Sequence, residues 1–125
     1  MRNTMVGTGV HVAFDFEEAL ARTDNDRELL CDLLGIFKED FPKHRESLSE
    51  AIKSKEAASI TAAAHTLKGM LLNLSANPAA EAAARVEHMA RQGVMSGMEE
   101  AFETFEHEIA ALLPQIDAFM AEALK

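Results

Sequence analysis

"AHTLKGMLLNLSANP", residues 64–78, joins the end of one predicted helix to the start of the next. The connection, Ser75 to Asn77, is so short that the two helices must fold back on each other as an antiparallel hairpin. We expect Asn77 to cap the second helix, with Pro78 in its first turn, where a missing backbone N–H is tolerated. Such a hairpin is the unit from which an up-and-down helical bundle is built.

The composition of the chain also favours helices. Its 125 residues are enough for one domain with a single core and too few for two. Hydrophobic residues make up 48% of the chain, yet Trp and Tyr are absent. The apolar residues are mainly Ala, Leu, Met and Phe, which suit helices better than strands. We therefore expect one all-α domain.

The charge and the cysteine content narrow the possible partners and sites. The formal net charge of −9 argues against nucleic acid and against an anionic membrane as partners, because both would repel the chain. Cys31 is the only cysteine, so no internal disulfide forms, and we expect it to flank the core. The sequence shows neither a signal peptide nor an apolar run that could cross a bilayer. These features predict a cytoplasmic monomer that acts on a protein partner.

Hydrophobic periodicity divides the chain into a leader and five helices. Residues 1–12 are predicted to be a flexible leader and residues 13–125 a single domain. The predicted helices cover residues 14–22, 25–53, 55–74, 78–92 and 98–124. Their expected boundary residues are Asp24, Ser54, Gly93 and a capping box from Ser96 to Glu99. Four long helices with short connections and one short N-terminal helix predict an up-down-up-down four-helix bundle.

Apolar stripes are predicted to face the core along the two longest helices. Counted at about 100° per residue, both stripes keep their phase across Pro42 and Pro114, so each proline should kink its helix without ending it. The stripe of the second helix consists of Leu30, Leu33, Phe37, Phe41, Leu48 and Ile52. The stripe of the last helix consists of Met98, Phe102, Phe105, Ile109, Leu113, Ile116, Met120 and Leu124.

The helix over residues 55–74 carries a histidine, a lysine and a glycine close together. On a helical wheel at about 100° per residue, its core side consists of Ile60, Ala63, Leu67, Leu71 and Leu74. Its solvent side consists of Ala58, Thr61, His65, Lys68, Gly69 and Leu72. Each of these residues is ordinary on a helix surface when taken alone, and only their combination indicates a function.

His65, Lys68 and Gly69 together predict a reachable imidazole beside a countercharge. A glycine in a helix interior costs about 1 kcal/mol relative to Ala, and Gly69 lies one turn after His65, where a larger side chain would crowd the ring. Lys68 can direct its ammonium group towards an anion at the imidazole. A docking surface for another protein is predicted around the ring, from Ala58, Thr61, Leu72 and Ala76.

The run AHTLKGMLLNLSA, followed by an Ala-rich helix with ARVEHMARQG, resembles the histidine-containing phosphotransfer (HPt) domain family. The signature of that family is Ala-His-x-Leu-Lys-Gly in a four-helix bundle. The upstream run FDFEEALARTDNDRELLCDLLGIFKEDFP is similar to the family's lead-in, so the resemblance covers nearly the whole chain from Phe14 onward. Ser75 stands where the family often has Gly, and Val86 replaces the usual Leu before Glu87. Neither departure touches the signature itself.

The resemblance implies a carrier that relays a phosphoryl group between the aspartates of receiver domains. His65 is then phosphorylated through Nε2, with Lys68 as countercharge and Gly69 giving steric access. The resemblance also implies no cofactor of the chain's own, Mg²⁺ supplied by the receiver domain, and a hybrid sensor histidine kinase as a further partner. No ATP-dependent kinase activity is expected, because a Gly-rich phosphate loop is absent. The alternative is a helical adaptor that binds receiver or kinase domains without being phosphorylated.

A metal site is not predicted. A di-iron site in a helical bundle needs a carboxylate three residues before a histidine, and none of the histidines has one. No two histidines stand four residues apart, so the helical spacing of a zinc site is missing as well. His88 and His107 point away from the apolar residues of their helices, and we expect both to be exposed.

Overall fold

The structure, a computed structural model, describes residues 11–123. These residues form five helices and no strand, which confirms the all-α class: α1 (Phe16–Arg22), α2 (Arg27–Ser54), α3 (Ala57–Asn73), α4 (Asn77–Arg91) and α5 (Met98–Ala123). Most of the predicted leader, residues 1–10, lies outside the described residues. Within 11–123, no helix is both long enough and apolar enough to cross a lipid bilayer.

The four longer helices contact one another in a closed ring. α2 packs against α3 and α5, α4 packs against the same two helices, and α1 contacts α2. The centre of the ring is filled by fully buried side chains, which include Leu34, Leu48, Ile60, Leu67, Leu71, Phe105, Leu112 and Ile116. Burying one such side chain stabilises a fold by about 1.5–3 kcal/mol, so this core is the main driving force for folding.

α2 begins two residues later than predicted. Asp26, rather than Asp24, caps it, and the Asp26 carboxylate accepts a hydrogen bond from the Leu29 N–H at 3.0 Å. Asp24 and Asn25 have φ angles of 54° and 63°, so they form a left-handed turn instead of the extended approach that a cap requires. α2 continues through Pro42 and α5 through its own proline, so the prediction that neither proline ends its helix is confirmed.

Three other predicted helix ends are wrong. Ser54 is the last residue of α2 rather than the entry to α3. Asn77 is already inside α4, and its side-chain amide donates to Glu18 Oε1 at 3.3 Å instead of capping the helix. Gly97, with a φ of 82°, directly precedes α5, so Ser96 does not cap that helix. Gly93, by contrast, has the left-handed φ of 73° expected of a residue that follows a helix.

Most residues of the predicted core stripes are buried, but individual positions on three helices are wrong. Leu33 is 39% exposed, whereas Leu34 is buried. Ala63, Phe102, Leu113 and Met120 are only partly buried, whereas Ala64, Ala101, Leu112 and Phe119 are buried. Part of the cause lies before α1, where Phe14 packs edge-on against Phe119 with ring centroids 5.8 Å apart and covers one flank of α5. Leu124 lies outside the described residues.

The segment before α1 contacts both α5 and the residues that follow α3. Gln115 on α5 accepts hydrogen bonds from the backbone N–H groups of residues 13 and 14, at 2.9 and 3.1 Å, and donates to the His11 carbonyl at 2.7 Å. The Asp15 N–H donates to the Ser75 carbonyl at 3.1 Å. The segment therefore covers the α3–α4 connection and fixes its position.

Candidate functional site

His65 lies on the solvent face of α3, as predicted. The buried residues of this helix recur at intervals of three and four, at Ile60, Ala64, Leu67 and Leu71, and leave the opposite face to solvent. The His65 side chain is 63% exposed. It is therefore open to an approaching molecule.

The His65 ring is oriented by a carboxylate from the neighbouring helix. Its Nδ1 lies 3.0 Å from Oε2 of Glu87 on α4, and Glu87 is only 4% exposed. An ionised carboxylate can only accept a hydrogen bond, so Nδ1 carries the ring proton and Nε2 has the lone pair. Within residues 11–123, Nε2 has no hydrogen-bond partner, and it is free to react with an incoming group.

Glu87 holds two cations besides the histidine. Lys68 Nζ lies 2.9 Å from Oε1, and Arg91 Nη2 lies 2.6 Å from Oε2. Burial by itself would raise the pKa of Glu87, but the hydrogen bonds from Arg91, Lys68 and His65 outweigh it and lower the pKa from 4.5 to about 2. Glu87 is therefore ionised at neutral pH and serves as the common acceptor of the site.

No role for Glu87 is predicted from the sequence alone. The residue follows the buried Val86 and lies one turn after the buried Ala83, so its carboxylate sits at the edge of the core. The sequence feature that could have indicated a role for Glu87 is a charged residue at the edge of the core, with Arg91 four residues later on the same face. Its partners on α3 are distant in the sequence, and only the fold brings them next to it.

Lys68 lies on the side of α3 that faces α4. Its side chain is 30% exposed and is paired with Glu87, so the ammonium group is held near the imidazole without being enclosed. With a neutral ring, the two cations Lys68 and Arg91 and the single carboxylate give the cluster a charge of +1, in a chain whose formal charge is −9. The site can therefore attract an anion, although the protein as a whole is acidic.

Gly69 leaves open space on the same face. A Cβ atom built on Gly69 would meet no atom within 4 Å outside the backbone of its own helix, so a single methyl group would not touch the His65 ring. The expectation that any larger side chain crowds the ring is therefore wrong for a methyl group. Gly69 has no packing role within the described chain, and the space beside it is available to a partner.

The predicted docking residues are not all at the surface. Ala58 is exposed and Leu72 is 43% exposed. Thr61 is partly buried, and its hydroxyl donates to the Ala57 carbonyl at 2.8 Å. Ala76 is fully buried, so its assignment to a docking surface is wrong. It lies in the α3–α4 connection, onto which the segment before α1 packs.

α2 carries an exposed apolar stripe, part of which was predicted to face the core. Leu29, Leu33 and Ile36 are 43%, 39% and 57% exposed, and their spacing places them on one face of the helix. Lys38 and Arg45, which pair with carboxylates of α5, lie on the other side of the core face of α2. Because α2 packs between α3 and α5, the stripe lies on the side of α3.

The other titratable groups of the described residues do not form a metal site. Across residues 11–123, no three His, Cys, Asp or Glu side chains are grouped so that they could hold a metal ion. His88 and His107 are exposed, as predicted. Cys31 is partly buried and flanks the core. The pKa of its thiol is raised, mainly by burial and to a lesser extent by the nearby Asp32 carboxylate.

Comparison with known families gives one match. A family model described as the Hpt domain matches residues 32–118. The matched region contains all of α3 and α4, and therefore His65 and Glu87, together with most of α2 and α5. No curated protein and no solved structure matches the chain.

Proposed function

The chain belongs to the Hpt domain family, and on this premise we propose that it relays a phosphoryl group between receiver-domain aspartates and His65 in a two-component phosphorelay. Hpt domains act in phosphorelays together with receiver domains and kinases, and a histidine carries the phosphoryl group. The observation that supports His65 as the carrier is its exposed ring, whose Nδ1 is held by Glu87 so that Nε2 is left free. His65 is then the nucleophile.

The transfer requires little covalent chemistry from this chain. Nε2 of neutral His65 attacks the phosphorus of an aspartyl phosphate, an N–P bond forms, and the P–O bond breaks with its electron pair leaving on the aspartate carboxylate. Such reactions depend mainly on in-line positioning and on neutralising the phosphoryl oxygens. Lys68 supplies one countercharge by turning from Glu87 towards these oxygens. We expect the receiver domain to supply Mg²⁺ and this chain to need no cofactor of its own.

The receiver domain is proposed to dock across α2 and α3. On α3 the proposed contact surface is the open space at Gly69, together with the exposed residues Ala58 and Leu72 of the same helix. On α2 it is the exposed stripe of Leu29, Leu33 and Ile36, which lies on the side of α3. A small apolar surface of this kind suits a weak and reversible contact, which a relay between several partners requires.

We propose an up-down-up-down helical bundle and a cytoplasmic location for this protein. The closed ring of contacts and the short connections support an up-down-up-down bundle for α2 to α5. We also propose that the chain works as a monomer in the cytoplasm, where its single thiol, Cys31, stays reduced.

The test is phosphoryl transfer from a labelled receiver domain in the presence of Mg²⁺. Three chains are compared: the wild type, His65→Gln, and His107→Gln, which changes an exposed histidine on another helix. We expect an acid-labile, base-stable label on the wild type and on His107→Gln, and none on His65→Gln. Circular dichroism should show the same helicity for all three, because exposed side chains contribute little to stability.

The outcomes distinguish a phosphoryl carrier from a helical adaptor that is not phosphorylated. Label on His65→Gln at the wild-type level would show that another residue is the carrier. If no chain takes up label from any of several receivers while the fold is intact, the adaptor function is favoured. Binding of a receiver domain without transfer, measured by titration calorimetry, would then support that alternative.

A further inference from the structure

The acceptor that holds His65 Nδ1 is a charged carboxylate, and this bears on the chemical state of the phosphorylated histidine. Glu87 is buried, and its Oε2 is shared by His65 Nδ1 at 3.0 Å and by Arg91 Nη2 at 2.6 Å. A neutral acceptor such as an amide oxygen would orient the ring equally well. A negative charge has a further effect, because it favours a proton on the nitrogen that it contacts.

The proton on Nδ1 decides how readily the phosphoryl group leaves again. When neutral His65 attacks through Nε2, the product ring has the phosphoryl group on Nε2 and the proton still on Nδ1, so the ring is a cation. If that proton escapes to water, departure of the phosphoryl group has to leave an imidazolate, which is a poor leaving group. If the proton stays, the leaving group is neutral imidazole.

We propose that Glu87 keeps the proton on Nδ1 of His65 in both the free and the phosphorylated chain, so that the carrier state is an Nδ1-protonated phosphoimidazolium. This inference rests on the proposed function of His65 and concerns its regulation. Transfer in either direction then moves only the phosphoryl group, since the same proton stays between Nδ1 and Glu87 Oε2. Glu87 is a positioning residue, because it acts through the ring and does not touch the phosphoryl group.

The charges around the ring are consistent with this state. Lys68 on α3 and Arg91 on α4 are the other charged groups that contact Glu87, and no charged side chain of α2 contacts His65 or Glu87 among the described residues. Both cations oppose a charged ring while they are paired with Glu87. A phosphoryl group brings two negative charges, which give Lys68 and Arg91 a new partner and leave Glu87 to the ring.

The direct test is nitrogen-15 NMR of the His65 ring in the phosphorylated chain, recorded between pH 5 and 9. Potassium phosphoramidate, which phosphorylates histidine without a protein donor, prepares the sample independently of any receiver domain. We expect the Nδ1 signal of the folded wild type to stay at the protonated position at least one pH unit higher than in the same phosphorylated chain unfolded in urea. Equal transitions in the two states would overturn the proposal, whether or not any variant folds.

Two variants separate the charge of Glu87 from its shape. Glu87→Gln keeps an acceptor of the same size, and we expect its folded form to lose the Nδ1 proton at the pH of the unfolded chain. Arg91→Gln removes the other donor on Oε2 but keeps the carboxylate, and we expect it to keep the protonated signal. If Glu87→Gln keeps that signal as well, the negative charge is not what holds the proton.

Kinetics provide a second readout. In the wild type, back-transfer to an unphosphorylated receiver should be independent of pH over the range in which NMR shows Nδ1 protonated. In Glu87→Gln it should fall about tenfold per pH unit above the ring transition, because only protonated rings transfer. A receiver that fails to phosphorylate the chain would count against the proposed relay function. The NMR comparison on the chemically phosphorylated chain would still decide the role of Glu87.

Discussion

Glu87 links the site to the stability of the fold through its charge. Its pKa is about 2 in the folded chain, below the ordinary value of 4.5. Because the folded value is the lower one, ionised Glu87 stabilises the fold above pH 4.5, and this contribution is lost as the pH falls towards 2. A shift of this size corresponds to about 3 kcal/mol. We predict that Glu87→Gln lowers the free energy of unfolding by about 3 kcal/mol at pH 7 and hardly changes it at pH 2.

Urea denaturation followed by circular dichroism, repeated from pH 7 down to pH 2, measures this difference. Glu81→Gln is the matched control, because Glu81 is an exposed carboxylate on the same helix. It should change the free energy of unfolding by less than about 0.5 kcal/mol at neutral pH. A difference between the wild type and Glu87→Gln that does not depend on pH would contradict the prediction.

Gly69 is expected to serve the partner rather than the fold. Because a Cβ atom at Gly69 meets nothing within 4 Å, we predict that Gly69→Ala stabilises the chain by about 1 kcal/mol and still accepts phosphoryl groups. Gly69→Leu should keep the fold but slow transfer from a receiver at least tenfold, because the longer side chain occupies the space that the partner needs. Thermal denaturation and initial rates of labelling measure the two effects.

Gly35 provides the control for Gly69. It also lies inside a long helix with open space at its Cβ position, on α2. Gly35→Ala should be stabilising by a similar amount, and Gly35→Leu should transfer at the wild-type rate. If Gly69→Leu and Gly35→Leu accept phosphoryl groups equally fast, Gly69 has no steric role in docking.

For the helices, local sequence patterns predicted which segments are helical better than they predicted which residues of each helix face the core. The run around His65 predicted α3 and its solvent face correctly, because the core contacts of that helix repeat at regular intervals. For α2 the same count chose Leu33 over Leu34, and the structure reverses that choice. A helical wheel locates the average apolar direction, whereas the packing of neighbouring helices decides which of two adjacent leucines is buried.

The exposed stripe of α2 is predicted to matter for docking and not for folding. Ile36→Ser removes the most exposed member of the stripe, and we expect it to change the free energy of unfolding by less than about 0.5 kcal/mol. Labelling by a receiver should require a several-fold higher receiver concentration to reach half its maximal rate. Val94→Ser is the control, because Val94 is a similarly exposed aliphatic residue in the α4–α5 connection. Equal receiver dependence in both variants would remove α2 from the docking face.

Across the fold, the features that could be predicted from the sequence are those that depend on residues close together in the chain. His65, Lys68 and Gly69 lie within about one helical turn of one another, so this part of the candidate site could be predicted from their pattern alone. Glu87 belongs to the same site but lies on the next helix, so its role depends on how α3 and α4 pack. The Ser75 carbonyl beside Ala76 likewise accepts a hydrogen bond from the Asp15 N–H, which lies far earlier in the chain. Contacts of this range cannot be derived from local periodicity.

The longest of these contacts is the one between the first described residues and α5, and it carries a prediction of its own. Gln115→Leu removes the acceptor of two partly buried backbone N–H groups, those of residues 13 and 14. An unsatisfied buried donor costs about 1–3 kcal/mol, so we expect a lower free energy of unfolding by about that amount. The amides of residues 13 and 14 should also exchange with solvent faster. Gln92→Leu, which changes an exposed glutamine after α4, should do neither. Unchanged exchange in Gln115→Leu would mean that other contacts, such as the burial of Phe14 and the Asp15–Ser75 hydrogen bond, hold this segment across the bundle.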